Sequence, residues 1–187
     1  MKFLTDTIKP QNNINKAIFL DRDGVINKLI CRQGKWQAPY NLSEFELLPG
    51  VAESLIQFKN AGFINIVVTN QPDMARGWVS RENIDLINNH ILEVLPIDEI
   101  KVCFHINEDN CDCRKPKPGM LIAASKTWNI DLENSFLIGD RESDIRAGIA
   151  VGCKTILIDS PQQEKTINIK SDYTAKTMLE ALKFILP

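Results

Sequence analysis

The sequence predicts an α/β fold, a Rossmann-like parallel sheet with helices on both faces. Three observations carry that expectation. Five short apolar runs each end in a polar or glycine-containing turn, segments of helical periodicity separate them, and residues suited to starting or stopping helices bracket those segments.

In chain order, Ala17 to Leu20 is the first run, too short for a helix and apolar throughout, as a strand covered on both faces requires. Lys28 to Pro49 has no long period and carries Gly34, Trp36, Pro39 and Tyr40, so it reads as an excursion over the sheet edge. Val51, Leu55 and Phe58 recur at helical spacing, and Gly62 is placed to end that helix. Ile64 to Val68 is the second strand. Ser80 can then cap a helix whose apolar stripe is Ile84, Ile87, Ile91 and Leu95. After a third strand, Ile100 to Phe104, Pro118 suits the start of a helix through LIAASKTW. Phe136 to Ile138 and Thr155 to Ile158 complete the strands, with Gly152 closing the helix between them. The pattern of residues 161–187 is compatible with a further strand or helix and equally with packing elsewhere.

A chain of 187 residues is long enough for one domain with a buried core and short for two, so 1–187 is expected to be a single domain, with 1–15 a polar lead-in. No apolar run approaches the ~20 residues that span a bilayer. The start, MKFLTDTIKPQNNINK, places Asp6 and Lys9 where a secretory signal needs unbroken apolar sequence, which favours a cytoplasmic protein. A net charge of −2 and the absence of a basic run argue against nucleic acid or anionic membrane as main partner, leaving a small molecule. A monomer is the expected state.

Ligands of open α/β sheets sit beyond the carboxyl ends of the strands. Directly after the first strand comes DRDGVIN, with Asp21 and Asp23 two residues apart. Alone, such a pair could be only a turn. Polar groups also follow later runs, however: Thr69 and Asn70, then Arg114 and Lys115, then Asp140 and Asp144. These residue types suit phosphoryl transfer, which needs a nucleophile, cations over the phosphoryl oxygens and an acid for the leaving oxygen. Asp21 is the candidate nucleophile, and Asp23 the candidate acid and then base. Thr69 is placed to hydrogen-bond phosphoryl oxygens and Lys115 to neutralise their charge. Asp21, Asp140 and a backbone carbonyl near Asp23 are hard oxygen ligands suited to Mg²⁺. Asp144 could complete this group or merely cap the following helix. Arg76, beside Gly77, could grip a second phosphate or simply be solvated.

These four segments, DRDGVIN, TNQ, RKPKPG and GDRESD, resemble in order the four motifs of the haloacid dehalogenase superfamily. The resemblance runs from about residue 16 to about 160. It implies an Mg²⁺-dependent phosphatase acting through an aspartyl-phosphate, with a minimal cap and with Asn70, Arg76, Arg114 and Arg141 placed toward the substrate.

Three of the five cysteines fall within eleven residues beside a histidine. Cys103, His105, Cys111 and Cys113 form C-x-H-x5-C-x-C, which suits a closed, structural Zn²⁺ site. Cys113 immediately precedes Arg114 and Lys115, so a metal there would hold both cations in place. Such a loop fused to RKPKPGM resembles two related groups, the heptose bisphosphate phosphatases and the histidinol-phosphate phosphatases. ARG at 75–77 and PGM at 118–120 look closer to the former. GDR at 139–141 and the short His105–Cys111 spacing look closer to the latter. The resemblance thus implies a sugar-like phosphorylated substrate, with a heptose bisphosphate ahead of histidinol phosphate and of a zinc-stabilised module without turnover. Cys31, Cys153, His90 and Trp128 read as ordinary packing or surface residues, whereas Trp36 and Trp78 stand where a sugar ring could meet them.

Overall fold

The computed structural model describes residues 14–160 and 168–187. Most of the polar lead-in assigned to 1–15 therefore lies outside the described residues. Strands β1 (Lys16–Leu20), β4 (Phe63–Asn70), β5 (Glu99–Cys103), β6 (Phe136–Gly139), β7 (Lys154–Ile158) and β8 (Tyr173–Ala175) form one sheet in the order β5-β4-β1-β6-β7-β8. Every neighbouring pair is parallel, with Lys16 opposite Phe63 and Ile18 opposite Phe136. The five apolar runs are the first five of these strands.

Helices α1 (Val51–Asn60), α2 (Arg81–Val94), α3 (Gly119–Trp128), α4 (Glu142–Ile149) and α5 (Met178–Ile185) cover the two faces. Side chains alternate along a strand, and that alternation divides β1 between two cores. Ile18 and Leu20 join Leu55 and Phe58 of α1, Ile87 and Ile91 of α2 and Ile185 of α5. Ala17 and Phe19 join Leu121 and Ala124 of α3 and Ala147 of α4. Removing a side chain such as Leu55 or Phe58 from water stabilises the fold by about 1.5–3 kcal/mol. Ser80 caps α2 as expected, its hydroxyl accepting from Asn83 N–H at 3.2 Å. Gly62 follows α1 with φ +84°, a left-handed conformation that ends a helix at little cost in glycine.

Residues 168–187 supply both a sixth strand and a helix. β8 has three residues, of which only Ala175 is buried, so it carries no period for sequence reading to find. Helix α5 is capped by Thr177, whose hydroxyl accepts from Glu180 N–H at 3.2 Å.

The segment after β1 departs from expectation. β2 (Ile30–Arg32) and β3 (Lys35–Gln37) form an antiparallel hairpin turned by Gln33 and Gly34, both at positive φ. This hairpin brings Gly34 to Ala38 into the wall of a cavity that also contains Asp21, Asn70 and Asp140, at the carboxyl edge of the sheet. Strands of three residues are too short to alternate visibly, which hid the hairpin. Its base is tied down by Lys28 N–H to Glu46 carbonyl and Leu48 N–H to Ile26 carbonyl, at 2.8 and 2.9 Å.

Candidate active site

Three strand ends meet at this cavity. Asp21 follows β1, Asn70 is the last residue of β4, and Asp140 follows β6. The turn after β1 is tight, with the N–H groups of Ile26 and Asn27 converging on the Arg22 carbonyl at 2.8 and 3.1 Å. Gly24 sits in that turn at φ +89°, where an added Cβ would lie 2.4 Å from Asp140 Oδ2. The position admits nothing larger than glycine beside that carboxylate. Gly139 is constrained by space alone, since a Cβ there would lie 2.2 Å from Asp144 Cβ.

Lys115 stands at the centre. Its Nζ is 2.9 Å from Asp21 Oδ1 and 2.5 Å from Asp144 Oδ1, and it donates to the Val68 carbonyl at 2.6 Å. Its backbone is clamped by Asn70, which donates to the Lys115 carbonyl at 3.0 Å and accepts from the Lys115 N–H at 3.1 Å. Asn70 borders the cavity, but its carboxamide is engaged by this backbone at both ends. Asp144 does two things at once: Oδ2 accepts from the Arg141 N–H at 3.0 Å at the start of α4, while Oδ1 meets Lys115.

Asp21, Asp140 and Asp144 each present a carboxylate oxygen within 4.8 Å of the others. Burial, with Asp144 and Asp23 nearby, pushes the Asp21 carboxyl up to about 6 although Lys115 draws it down. Burial again, then Asp21 and Asp144, raises Asp140 well above the usual carboxylate range. For Lys115, burial is outweighed by the attraction of Asp144 and Asp21, which holds its ammonium charged. One ammonium does not balance three clustered carboxylates, and a hard oxygen-only donor set of this kind fits Mg²⁺.

Asp23 is held differently. Burial would raise it, but the Arg22 guanidinium and hydrogen bonds from Asn27, Arg22 and Gln71 outweigh that and keep its carboxyl low. Thr69 is buried at the end of β4, and its hydroxyl accepts from Gln71 Nε2 at 2.9 Å.

The cavity above these groups measures about 950 Å³, and Lys35, Trp36, Arg76, Trp78, Arg114 and Arg141 line it. Arg76 pairs with Asp73 at 2.9 Å. Arg114 donates to Asn107 Oδ1 at 2.8 Å and to the His105 carbonyl at 3.1 Å, so its guanidinium is anchored to the cysteine-rich loop. Arg141 Nε lies 4.0 Å from Asp140 Oδ1. Trp128 lies elsewhere, donating from Nε1 to Glu99 at 3.0 Å, and His90 packs edge-on against Phe45, both as expected of packing residues.

In the second cluster, Cys113 Sγ lies 3.1 Å from Cys103 Sγ, 3.4 Å from Cys111 Sγ and 3.3 Å from His105 Nδ1. Cys103 Sγ lies 3.7 Å from Cys111 Sγ and 3.6 Å from His105 Nδ1. A tetrahedral ion with Zn–S bonds of about 2.3 Å needs sulfurs about 3.8 Å apart, so small adjustments would fit it. Without such an ion, burial and the neighbouring Cys113 push the Cys103 thiol up to about 12. Cys103 is the last residue of β5 and is fully buried in the core beside α3, so the cluster is rooted in the sheet as well as in the loop.

The profile of the Hydrolase_like family, described as HAD-hyrolase-like, matches residues 112–182. A D-glycero-beta-D-manno-heptose-1,7-bisphosphate 7-phosphatase from Helicobacter pylori is 38% identical over 159 residues, 80% of this chain and 87% of that protein. The chain belongs to the heptose bisphosphate phosphatase family. A family member from Campylobacter jejuni, named for the alpha anomer, is 32% identical over 158 residues, 80% of this chain and 86% of its own length. In three dimensions the chain is similar to the D,D-heptose 1,7-bisphosphate phosphatase of B. bronchiseptica, solved with magnesium and phosphate. That match has a TM-score of 0.78 at 26% identity and covers 91% of this chain and 98% of the other. As a member of this family the chain is a phosphatase.

Motif reading left Asp144 open between cap and site, and it missed Arg22, Asn27, Gln71 and Asn88, which surround Asp23. Arg22 and Gln71 lie inside motifs that were read for their neighbours. Asn88 lies inside α2, where a polar residue gives no sign that it faces inward.

Proposed function

We propose that this phosphatase removes the 7-phosphate of D-glycero-D-manno-heptose 1,7-bisphosphate through an aspartyl-phosphate on Asp21. The observation that carries the reading is a carboxylate–lysine cluster opening into a cavity whose wall adds four further cations, Lys35, Arg76, Arg114 and Arg141, against two further carboxylates, Asp73 and Glu142. A single phosphoryl group seated over Lys115 leaves this net positive wall unmatched. A second anionic group on the same substrate accounts for the surplus, whereas the ammonium of histidinol phosphate would meet like charge. The names of the relatives support the same substrate class.

Asp21, Asp140 and the backbone carbonyl of Asp23 would hold Mg²⁺, which supplies positive charge to the phosphoryl oxygens when bound. Asp21 attacks phosphorus in line with the departing sugar oxygen. Asp23, which enters this step protonated against the pull of Arg22, Asn27 and Gln71 on its carboxylate, delivers that proton to the departing oxygen, and the sugar leaves as an alcohol. Asp23, now a carboxylate, takes a proton from water, whose oxygen attacks the phosphoryl group and returns Asp21 as a free carboxylate. Lys115 keeps its charge throughout and steadies both Asp21 and the phosphoryl oxygens. Thr69 contributes its hydroxyl hydrogen to the phosphoryl group. Arg76, Arg114 and Arg141 grip the distal anion, with Trp36 and Trp78 against the ring.

Cys103, His105, Cys111 and Cys113 would hold a structural Zn²⁺ that fixes Arg114 and Lys115, and residues 1–187 would act as one domain and as a monomer. The deciding experiment incubates the enzyme with heptose 1,7-bisphosphate, histidinol phosphate and p-nitrophenyl phosphate, following the bisphosphate by ³¹P NMR. Selective loss of the C7 resonance with retention of the C1 resonance is expected. Preference for histidinol phosphate would refute the assignment.

A further inference from the structure

Arg22 is the largest fully buried side chain in the described residues, and the phosphoryl-transfer steps assign it no task. A buried guanidinium is costly unless its donors are matched. Nε and Nη2 donate to Asp23 Oδ1 and Oδ2 at 3.2 and 3.1 Å, and Nη1 donates to Asn88 Oδ1 at 3.0 Å. Asn88 is itself buried, on the inner side of α2 with Ile84, Ile87 and Ile91. A contact that merely joined the β1 turn to α2 would be better made by apolar groups, as these isoleucines show. A planar fork placed on both oxygens of one carboxylate does something apolar packing does not, because it fixes the plane in which that carboxylate lies.

We propose that Arg22, braced by Asn88, is the positioning residue for the Asp23 carboxyl. This inference rests on the reading of Asp23 as the proton donor to the leaving oxygen. Each Asp23 oxygen accepts twice: Oδ1 from Arg22 and from Asn27 Nδ2 at 3.0 Å, and Oδ2 from Arg22 and from Gln71 Nε2 at 2.6 Å. Asn27 belongs to the same turn as Asp23, and Gln71 to the loop after β4. Arg22 is therefore the donor that ties this carboxyl to a helix, through Asn88. Without it, Asp23 remains in the cavity wall but loses its fixed direction of proton delivery. In the transfer to Asp21 the cost falls on substrates whose leaving oxygen needs a proton and spares those whose leaving oxygen does not, whereas hydrolysis of the aspartyl-phosphate, which also uses Asp23, slows alike for all.

The test compares kcat/KM, which reports the steps up to departure of the leaving group, for a sugar phosphate and for p-nitrophenyl phosphate in Arg22→Lys, Arg22→Met and Asn88→Leu, with circular dichroism as the folding control. General acid catalysis contributes about 10²–10⁴-fold, so Asn88→Leu and Arg22→Lys are expected to lower kcat/KM for the sugar phosphate by about tenfold or more. For p-nitrophenyl phosphate kcat/KM should change by less than about twofold, with Mg²⁺ dependence retained. Arg22→Lys keeps the charge without the fork and should not rescue. Asn88→Leu leaves Arg22 in place and keeps the test sound if the Arg22 variants fail to fold. Equal losses on both substrates, or wild-type rates in Arg22→Lys and Asn88→Leu, would overturn the proposal. Asp23→Asn, run in parallel, separates the two levels. If it is leaving-group selective while Asn88→Leu is not, only the role of Arg22 falls; if it too is unselective, the acid role of Asp23 falls and this inference with it.

Discussion

Lowering the pH should loosen Mg²⁺ by an amount the buried carboxylates set. Asp21 ionises at about 6 in the metal-free protein, against 3.8 for an ordinary aspartate. At pH 8 it is a carboxylate ready to bind a cation, whereas at pH 5 about one molecule in eleven has it ionised. A proton and the metal compete for the same oxygens, so the apparent Kd for Mg²⁺ should rise about tenfold between pH 8 and pH 5, or about 1.4 kcal/mol, through Asp21 alone. Asp140, also raised, steepens the dependence. The same pKa sets the sign of the stability change. Because the folded pKa exceeds the unfolded one, the stabilising contribution of this group is complete below 3.8 and is lost as the pH rises through about 6. The metal-free fold is thus the more strained at pH 8, where Mg²⁺ has most to relieve. Isothermal titration calorimetry at pH 8 and pH 5, in buffers of differing ionisation heat, measures both the affinity and the protons released. An affinity unchanged within twofold, or a binding heat indifferent to the buffer, would show that these carboxylates do not share a metal.

Asp21→Asn should fold normally and lose turnover on every phosphomonoester, because an amide cannot attack phosphorus; wild-type-like activity in a purified sample would end the covalent mechanism. Gly24→Ala should cost about 1–3 kcal/mol in backbone strain and push Asp140 aside, seen as a lower Tm together with weakened Mg²⁺ binding in calorimetry. Metal analysis should find about one zinc per chain, and Cys113→Ala should lower kcat/KM strongly while circular dichroism still reports a folded α/β protein. Cys103→Ala should be harsher on Tm than Cys113→Ala, since Cys103 is buried in the sheet core and Cys113 only packs against it. Ca²⁺ in place of Mg²⁺ should inhibit, because it accepts more ligands at longer distance and can let Asp21 bind through both oxygens; full activity with Ca²⁺ would contradict that.

The sheet was readable because parallel strands buried on both faces must be apolar along their whole length, and chemistry follows where such runs stop. That rule placed Asp21, Thr69 and Asp140 at strand ends, where the structure has them, and the cysteine spacing brought Cys103, His105, Cys111 and Cys113 together. What escaped lacks any local signature. β8 and the β2–β3 hairpin are three residues per strand, below the length at which alternation shows. The hydrogen bonding of Asn70 to the Lys115 backbone joins residues 45 positions apart, so motif order placed Asn70 near the substrate without showing what its amide binds. Arg22 and Asn88 meet across 66 residues, and only the packing of α2 on the sheet brings them together.

The hairpin that lines the cavity is held at its base by the backbone bonds at Lys28 and Leu48 and by the Arg32–Glu44 ion pair, and takes no part in the six-stranded sheet. In the proposed mechanism, contact with the sugar and breaking of the phosphate ester would thus be housed in different parts of the fold. A change confined to residues 30–37 would leave Asp21 and Asp140 where β1 and β6 put them and Lys115 where Asn70 of β4 holds its backbone. Anomer preference, which differs between the names of the Helicobacter and Campylobacter relatives, is the kind of property such an exchangeable loop can change without rebuilding the catalyst beneath it.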